Sequence, residues 1–254
     1  KPVSIWRIKE VFGSWNEAKM KAGLKIDQKG SSVSINEGYF SNINTPEKAY
    51  WFGTLFPISP LREPETGSGL VLSLGRAASK SHFVTGFAEA TDSEYSISES
   101  EKNSRPGEDD LVATSISNQK FVNNLIDAGY PSLEEDPGGF PFLFDQHWPP
   151  FIRGYLESAG YFTTGGWQIP TKSVARAKTL QSLFEEFGAK RPTLSDKGRG
   201  ESTLRVSNVF DIAAVFESCW PHQLETNPSW KPYPQKILNH LESEHPYPEN
   251  LSYL

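Results

Sequence analysis

The stretch FIRGYLESAGYF, Phe151–Phe162, follows two prolines, Pro149 and Pro150. Proline is well tolerated in the first turn of a helix and glycine is favoured just after a helix ends. The segment therefore predicts a helix that stops at Gly160 and is followed by a strand. A glycine in the helix interior, Gly154, costs roughly 1 kcal/mol relative to alanine. We expect Gly154 to be there because another part of the chain comes close to the helix backbone.

An earlier segment, Ala49–Phe56 (AYWFGTLF), has the same arrangement. It follows Thr45 and Pro46, a residue type that caps helices and a proline suited to the first helical position. The helix must end near Pro57, because proline cannot donate a backbone hydrogen bond. Its interior glycine, Gly53, stands 101 residues before the glycine of the later helix.

Strands and a further helix follow each of these two helices. After the first come a strand over Gly69–Arg76 and a helix from about Lys80. After the second come strand-like segments, a helix that is capped by Ser173, and a strand over Ser202–Asn208 that alternates polar and apolar residues. The repeated order indicates an internal duplication.

Composition limits the kind of protein. The chain has 254 residues, of which 37% are hydrophobic, enough for a substantial core. No apolar run reaches the roughly 18 residues of a membrane span, and no signal-peptide pattern is present, so we expect no membrane partner and a cytoplasmic location. Cys219 is the one cysteine, which excludes a disulfide framework and a CxxC zinc site and favours a buried thiol.

Charge is unevenly distributed along the chain. The net charge is −6, yet residues 1–30 and residues 172–205 each carry a net +4. Acidic residues concentrate in 92–110 and 134–136, segments rich in Ser, Pro and Gly that predict loops. This segregation suits an anionic ligand on one surface, although evenly solvated faces remain an alternative.

The first 30 residues predict a pair of short helices. Ser4–Phe12 has helical spacing of apolar residues, Gly13 interrupts it, and Ser14–Glu17 has the S-x-x-E form of a capping box before a stop at Gly23. Two short helices joined by a tight turn indicate a helix-turn-helix, although any helical hairpin has this pattern.

AYWFGTLFPIS (Ala49–Ser59) and FIRGYLESAG (Phe151–Gly160) resemble the paired motifs of single-chain LAGLIDADG homing endonucleases. INEGYFSNINTPEKAYW and SISNQKFVNNLIDAGY resemble the segments that precede the two motifs, and FGSWNEAKMKAGL (Phe12–Leu24) resembles a repeat attached to such endonucleases. The resemblance implies an α+β, pseudo-twofold duplicated fold, with two αββαβ-type halves, central motif helices and saddle-shaped antiparallel sheets. The implied boundaries are 1–30 for a helix-turn-helix-like repeat, 35–125 for the first half and 126–254 for the second, in a monomer.

In that family the two motif helices pack against each other, which assigns Gly53 and Gly154 to their contact. The helix ends deliver acidic residues that hold Mg²⁺ for hydrolysis of a phosphodiester. Here Ile58 and Ala159 stand at the acidic positions, and neither side chain can bind a metal. The resemblance therefore predicts no catalytic residue, no metal and no cofactor, with Mg²⁺ required only if the chain is an active endonuclease.

Two weak substitutes for the missing acids are present. Glu157 lies about 200° around the helix from Ala159, since a helix has 3.6 residues per turn, and should point away from the site. Asp145 lies beside His147 in FPFLFDQHWPP, a stretch better interpreted as a surface loop.

The same resemblance implies a surface for DNA, because strands of both halves present a polar face to the major groove. In the last predicted strand, Thr203, Arg205 and Ser207 share one face, which suits phosphate or base contacts. An ordinary half-exposed antiparallel strand has the same pattern. The other predicted DNA contacts lie at the rims of this surface or in the N-terminal hairpin: Arg76, Lys172 and Arg176, and Asn16, Lys19 and Lys21.

The leading hypothesis is a double-stranded DNA-binding protein that is related to homing endonucleases, is deficient in cleavage and has a regulatory use. Three alternatives stay open: a site-specific endonuclease with full or residual Mg²⁺-dependent activity, a maturase-like RNA binder, and a scaffold for protein contacts. The acidic net charge keeps the last alternative in consideration.

Overall fold

The computed structural model describes residues 21, 33–57, 61–64, 69–100, 110–131, 139–163, 166–171, 173–198 and 201–220. The chain divides into two units, residues 1–33 and residues 34–254, and almost all described residues belong to the second. The predicted N-terminal hairpin lies outside the described residues apart from Lys21, which is an exposed helical residue. Asn16, Lys19, Ile58 and Lys172 lie outside them as well.

The described elements of the second unit repeat one order, helix, two strands, helix, two strands, helix. The first half comprises α1 Pro46–Leu55, β1 Leu61–Arg62, β2 Val71–Ala77, α2 His82–Ala90, β3 Ser98–Ser100, β4 Leu111–Ile116 and α3 Gln119–Asp127. The second half comprises α4 Trp148–Ala159, β5 Tyr161–Thr163, β6 Gly166–Thr171, α5 Val174–Glu186, β7 Thr193–Gly198, β8 Glu201–Val206 and α6 Val209–Cys219. Short 3₁₀ turns at Ala78–Lys80 and Asp145–His147 precede α2 and α4.

Each half contains a four-stranded antiparallel sheet, and the strand order is the same in both. The orders are β1-β2-β4-β3 and β5-β6-β8-β7. The α+β duplicated fold predicted from the sequence is therefore confirmed, although each half has one strand and one helix more than the predicted αββαβ order. The acidic stretch 92–110, predicted to be a loop, also contributes the edge strand β3.

Side-chain caps fix where several helices begin. The Thr45 hydroxyl accepts a hydrogen bond from the Lys48 amide at the start of α1, and the Ser173 hydroxyl accepts one from the Arg176 amide at the start of α5. Asn118 does the same at α3. These caps satisfy amides that have no partner within the helix, so they define the helix starts that the sequence indicated.

Each sheet packs one face against helices and leaves the other face outward. In β8, Leu204 and Val206 are fully buried, whereas Arg205 between them is exposed. The buried faces join a continuous core rich in aromatic rings, in which Phe52 of α1 and Phe56, the residue just after this helix, contact Phe151 of α4. The alternation along the strands thus separates a core face from a face that is available to a partner.

Helices α1 and α4 pack against each other through their interior glycines. A Cβ atom at Gly53 would overlap the carbonyl oxygen of Phe151 and lie 2.8 Å from its carbonyl carbon. A Cβ atom at Gly154 would overlap the carbonyl oxygen of Tyr50 and lie 2.9 Å from the amide nitrogen of Thr54. Glycine is therefore needed at both positions because the two backbones are in direct contact.

Among the described residues, no helix combines the length and the apolar character that crossing a bilayer requires.

Candidate nucleic-acid interface

A row of four side chains crosses the outward face of the second sheet. Tyr161 of β5 lies opposite Gln168 of β6, Gln168 lies opposite Arg205 of β8, and Arg205 lies opposite Thr193 of β7. Arg205 and Thr193 are exposed, Tyr161 is 44% exposed, and Gln168 is half-buried. We call these four residues the polar row. Since neighbouring strands lie about 4.8 Å apart, the row spans roughly 14 Å.

The polar row offers varied hydrogen-bonding groups. A glutamine amide and an arginine guanidinium can each make paired hydrogen bonds to a base edge, typically adenine and guanine respectively. Tyr161 and Thr193 contribute hydroxyls, although the Thr193 hydroxyl also donates to the Arg205 carbonyl at 3.4 Å. Ser207, just beyond the end of β8, is exposed as well. The row combines one cation with groups that can discriminate bases.

Thr203 does not belong to the accessible part of this face. It lies between Pro170 and Ser195 of the neighbouring strands and is only 3% exposed. Its hydroxyl is buried, with no hydrogen-bond partner in the described part of the chain. The expectation that Thr203 shares an accessible face with Arg205 and Ser207 is therefore wrong, because its side chain is buried.

Arg76 was expected at the rim of the DNA surface, and this expectation is wrong. Its register opposite Val112 places it on the core face of β2, where it is 4% exposed. Its Nη2 atom donates to the Thr54 carbonyl at 3.2 Å and to the Ser158 hydroxyl at 3.0 Å. The Ser158 hydroxyl in turn donates to the Thr54 carbonyl at 2.7 Å. The guanidinium thus lies between the last turns of α1 and α4.

This position has an electrostatic reason. The last carbonyls of a helix carry partial negative charge, and a cation near them is favourable. Burial lowers the pKa of Arg76 to about 10, so the group is still cationic at neutral pH. Its Nε atom is buried and has no hydrogen-bond partner among the described residues. The charge therefore meets a carbonyl in the last turn of α1 and a side-chain hydroxyl in the last turn of α4.

The residues at these helix ends do not fit a divalent metal ion. Ala159, the last residue of α4, is half-buried and packs against the core, and it has no ligand atom. Within the described ranges, no three His, Cys, Asp or Glu side chains come together in a way that could hold a metal. Mg²⁺ needs carboxylate oxygens, and the guanidinium of Arg76 would repel it.

Glu157, one weak substitute for the missing acids, belongs to a buried network instead. Its carboxylate accepts hydrogen bonds from the Tyr50 hydroxyl at 2.6 Å and from Nε of Arg153 at 2.9 Å. The Arg153 guanidinium also lies 5.6 Å from the ring centre of Trp220. Burial, with the Glu157 charge in second place, raises the pKa of Tyr50 well above its ordinary value. Glu157 therefore ties α4 to α1.

Asp145, the other substitute, is exposed in the 3₁₀ turn before α4. The expectation that its whole segment forms a surface loop is wrong at His147, which is 3% exposed and begins the packing of α4.

Arg176 was also expected at the rim of the DNA surface, and this expectation is wrong as well. It is 6% exposed, its guanidinium carbon lies 4.7 Å from the ring centre of Phe56, and its Nε donates to the Gly139 carbonyl at 3.2 Å. Its position in the first turn of α5 faces the aromatic core. Among the predicted DNA contacts that the structure describes, Lys21, Arg205 and Ser207 are exposed.

The polar row also contains three residues that the sequence did not single out: Tyr161, Gln168 and Thr193. Because side chains alternate along a strand, the sequence alone could have predicted that Gln168 points away from Trp167 and Ile169. The partnership with Arg205 depends on pairing between segments far apart in the sequence.

Comparison with known proteins places this fold. No protein-family model matches the chain, and no curated protein does. A mesophilic variant of the homing endonuclease I-DmoI matches with 16% identity and a TM-score of 0.51, over 81% of this chain and 99% of that one. I-DmoI in complex with DNA and Ca matches with 15% identity and a TM-score of 0.51, over the same shares. The N-terminal LAGLIDADG domain of DUF199/WhiA matches with 14% identity and a TM-score of 0.45, over 75% of this chain and 93% of that one.

At this level of identity the likeness concerns the fold. The described part of the chain has the fold of the LAGLIDADG homing endonucleases.

Proposed function

We propose that this protein binds double-stranded DNA through the outward face of the second sheet and does not cut it. The polar row carries the proposal, because Gln168 and Arg205 lie side by side on adjacent strands and face outward. The major groove is wide enough to admit strands, and its base edges match the hydrogen-bonding groups of these two side chains. The fold adds support, since I-DmoI has been solved in complex with DNA.

The composition of the helix ends supports the absence of cleavage. Hydrolysis of a phosphodiester by this type of site needs carboxylates that hold metal ions. At the end of α4 the chain presents Ser158 and Ala159, and the Arg76 guanidinium bonds to Ser158. A protein that occupies DNA without cutting it can act as a regulator of transcription, and we propose this use.

We propose that the protein acts as a monomer. The two halves repeat one order of elements within a single chain, so each copy already supplies two related sheets. A second subunit is not needed to create the pseudo-twofold arrangement.

The test is binding of the full chain to fluorescently labelled duplexes, at salt concentrations from 50 to 200 mM. We expect affinity to fall as salt rises, because phosphate contacts release counterions. Arg205→Ala should weaken binding by roughly 5- to 150-fold if the residue contacts a base, which corresponds to about 1–3 kcal/mol. Lys120→Ala is the matched control: this cation is exposed on the helix side of the first half, where it pairs with Glu37 at 3.0 Å, and its loss should leave affinity unchanged.

Cleavage is tested on the same duplexes and on the native locus, with Mg²⁺ or Mn²⁺. We expect no specific double-strand cut. A cut that a chelator abolishes would instead support the endonuclease alternative. No binding at low salt, or binding that does not depend on salt, would overturn the proposal, and stronger binding to RNA in competition would favour the maturase-like alternative.

A further inference from the structure

The two sheets differ in what they present outward. In the first sheet, Ser73 lies opposite Ser115, Gly75 opposite Ala113, and Ala77 opposite Leu111. Beyond them, Ser98 of the edge strand β3 lies opposite Ala113. At these described positions the outward face thus carries small or apolar side chains.

The two faces can be compared position by position. Ser115 and Arg205 each stand four residues before the helix that follows their strand, α3 in one half and α6 in the other. Ser73 pairs with Ser115 just as Gln168 pairs with Arg205. The first half therefore has two serines where the second half has the glutamine and arginine at the centre of the polar row.

The side chains at these equivalent positions differ in length. A serine hydroxyl lies one bond beyond Cβ, whereas the glutamine amide nitrogen lies three bonds beyond it and the arginine terminal nitrogens five. The major groove is about 8.5 Å deep, so a sheet that rests on its edges needs long side chains to touch the bases. A serine also bonds to several bases without preference.

Arg62 is the long cation beside the first face, and its placement does not alter this. It lies on the edge strand β1, opposite Val71, and is exposed. Its Nη2 atom is 3.4 Å from the Ser115 hydroxyl, so the side chain lies across the sheet. Its guanidinium therefore lies along the sheet beside Ser115 instead of extending outward from it, an arrangement suited to a phosphate, a contact that carries no sequence information.

We infer that recognition is one-sided: the second sheet reads base sequence, whereas the first sheet contacts the other half of the site without reading it. This inference rests on the proposed DNA binding and adds which half of the bound duplex is specified.

The experiment is selection of bound duplexes from a randomised pool by the full chain, with a footprint on a selected duplex. We expect a single block of specified bases that covers one side of the footprint. Arg205→Ala should remove specificity at one or two positions of that block. Ser115→Ala, at the equivalent position of the first half, should leave the selected sequence unchanged.

The outcomes separate the inference from the proposed function. Two specified blocks, one on each side of the footprint, would overturn one-sided recognition and leave DNA binding intact. Bound duplexes without any specified block would overturn it as well, as would a Ser115→Ala variant that changes the selected bases. Failure to bind any duplex at low salt would overturn both.

Discussion

The contact between α1 and α4 gives a sharp prediction for substitution of its glycines. In Gly53→Ala the new methyl group would overlap the Phe151 carbonyl oxygen and lie 3.1 Å from the Phe151 Cα atom. These are backbone atoms, which cannot rotate aside as a side chain can. The helices must therefore move apart, and the same holds for Gly154→Ala against the backbone of Tyr50 and Thr54.

The magnitude follows from two opposing effects. Overfilling a packed interior costs about 1–3 kcal/mol, and more where backbone has to shift. Alanine returns about 1 kcal/mol of helix propensity relative to glycine. We expect each single substitution to lower the free energy of unfolding by about 2 kcal/mol net.

The double variant tests the cause of this loss. Both methyl groups demand the same separation of α1 from α4, so the second should cost little once the first has moved the helices. We expect the double variant to be more stable than the sum of the single effects implies, by about 1 kcal/mol. If the two clashes were local and independent, the two losses of unfolding free energy would instead be additive.

Urea unfolding followed by tryptophan fluorescence and circular dichroism measures these differences. Gly75→Ala is the control, because a Cβ atom there would lie 3.5 Å from a Leu111 methyl group and 3.6 Å from the Ala113 Cβ atom, which is ordinary contact. Single variants that lie within 0.5 kcal/mol of the parent chain, or strictly additive losses, would refute the reasoning.

Three further predictions concern the buried polar groups. Tyr50→Phe removes the 2.6 Å hydrogen bond to Glu157 and should lower the free energy of unfolding by about 1–3 kcal/mol in a urea titration. The control is Tyr39→Phe, because the buried Tyr39 hydroxyl has no hydrogen-bond partner among the described residues. This variant should lose less than half as much stability. Arg76→Ala should lower the free energy of unfolding by about 2–4 kcal/mol, because the hydrogen bonds to Thr54 and Ser158 are lost. Arg62→Ala, at an exposed arginine, should lower it by less than about 0.5 kcal/mol. Equal losses in the two variants would contradict the assigned role of Arg76. Burial raises the pKa of Cys219 and of Tyr130, so the unfolded chain releases protons that the folded chain retains, above about pH 9 for the thiol and about pH 10 for the phenol. The free energy of unfolding should fall there by up to about 1.4 kcal/mol per pH unit for each group. Arg76, whose pKa is lowered to about 10, acts in the opposite direction above that pH, and urea titrations from pH 7 to pH 11 should show a net decrease that a flat profile would contradict.

Local patterns in the sequence were enough to predict most helices and strands and their order along the chain. Thr45 and Ser173 are residue types that cap helices, and both accept the expected amide hydrogen bonds. The alternation in 202–208 correctly separated inward Leu204 and Val206 from outward Arg205. These features depend on neighbours within a few residues, which is why the sequence could show them.

Features that depend on pairing between distant segments were missed. Arg76 was taken for a surface residue because it is charged, although Leu72 and Leu74 share its side of the strand and are buried. Thr203 is buried although it alternates with buried Leu204 and Ser202, which the local polar and apolar pattern does not predict. The same is true of the polar row, whose members come from four different strands.

The guanidinium between the ends of α1 and α4 also bears on how readily this scaffold could acquire cleavage. An aspartate at position 159 would stand next to Ser158, which already bonds to Arg76. We expect the new carboxylate, one residue from the hydroxyl that binds this cation, to be drawn to it rather than to attract Mg²⁺, because opposite charges attract strongly in the interior. Gain of a nuclease centre would therefore need a coordinated change in β2 as well as in the helix. Under the proposed function, this buried cation is what a single new carboxylate at the helix end would have to overcome before a nuclease centre could form.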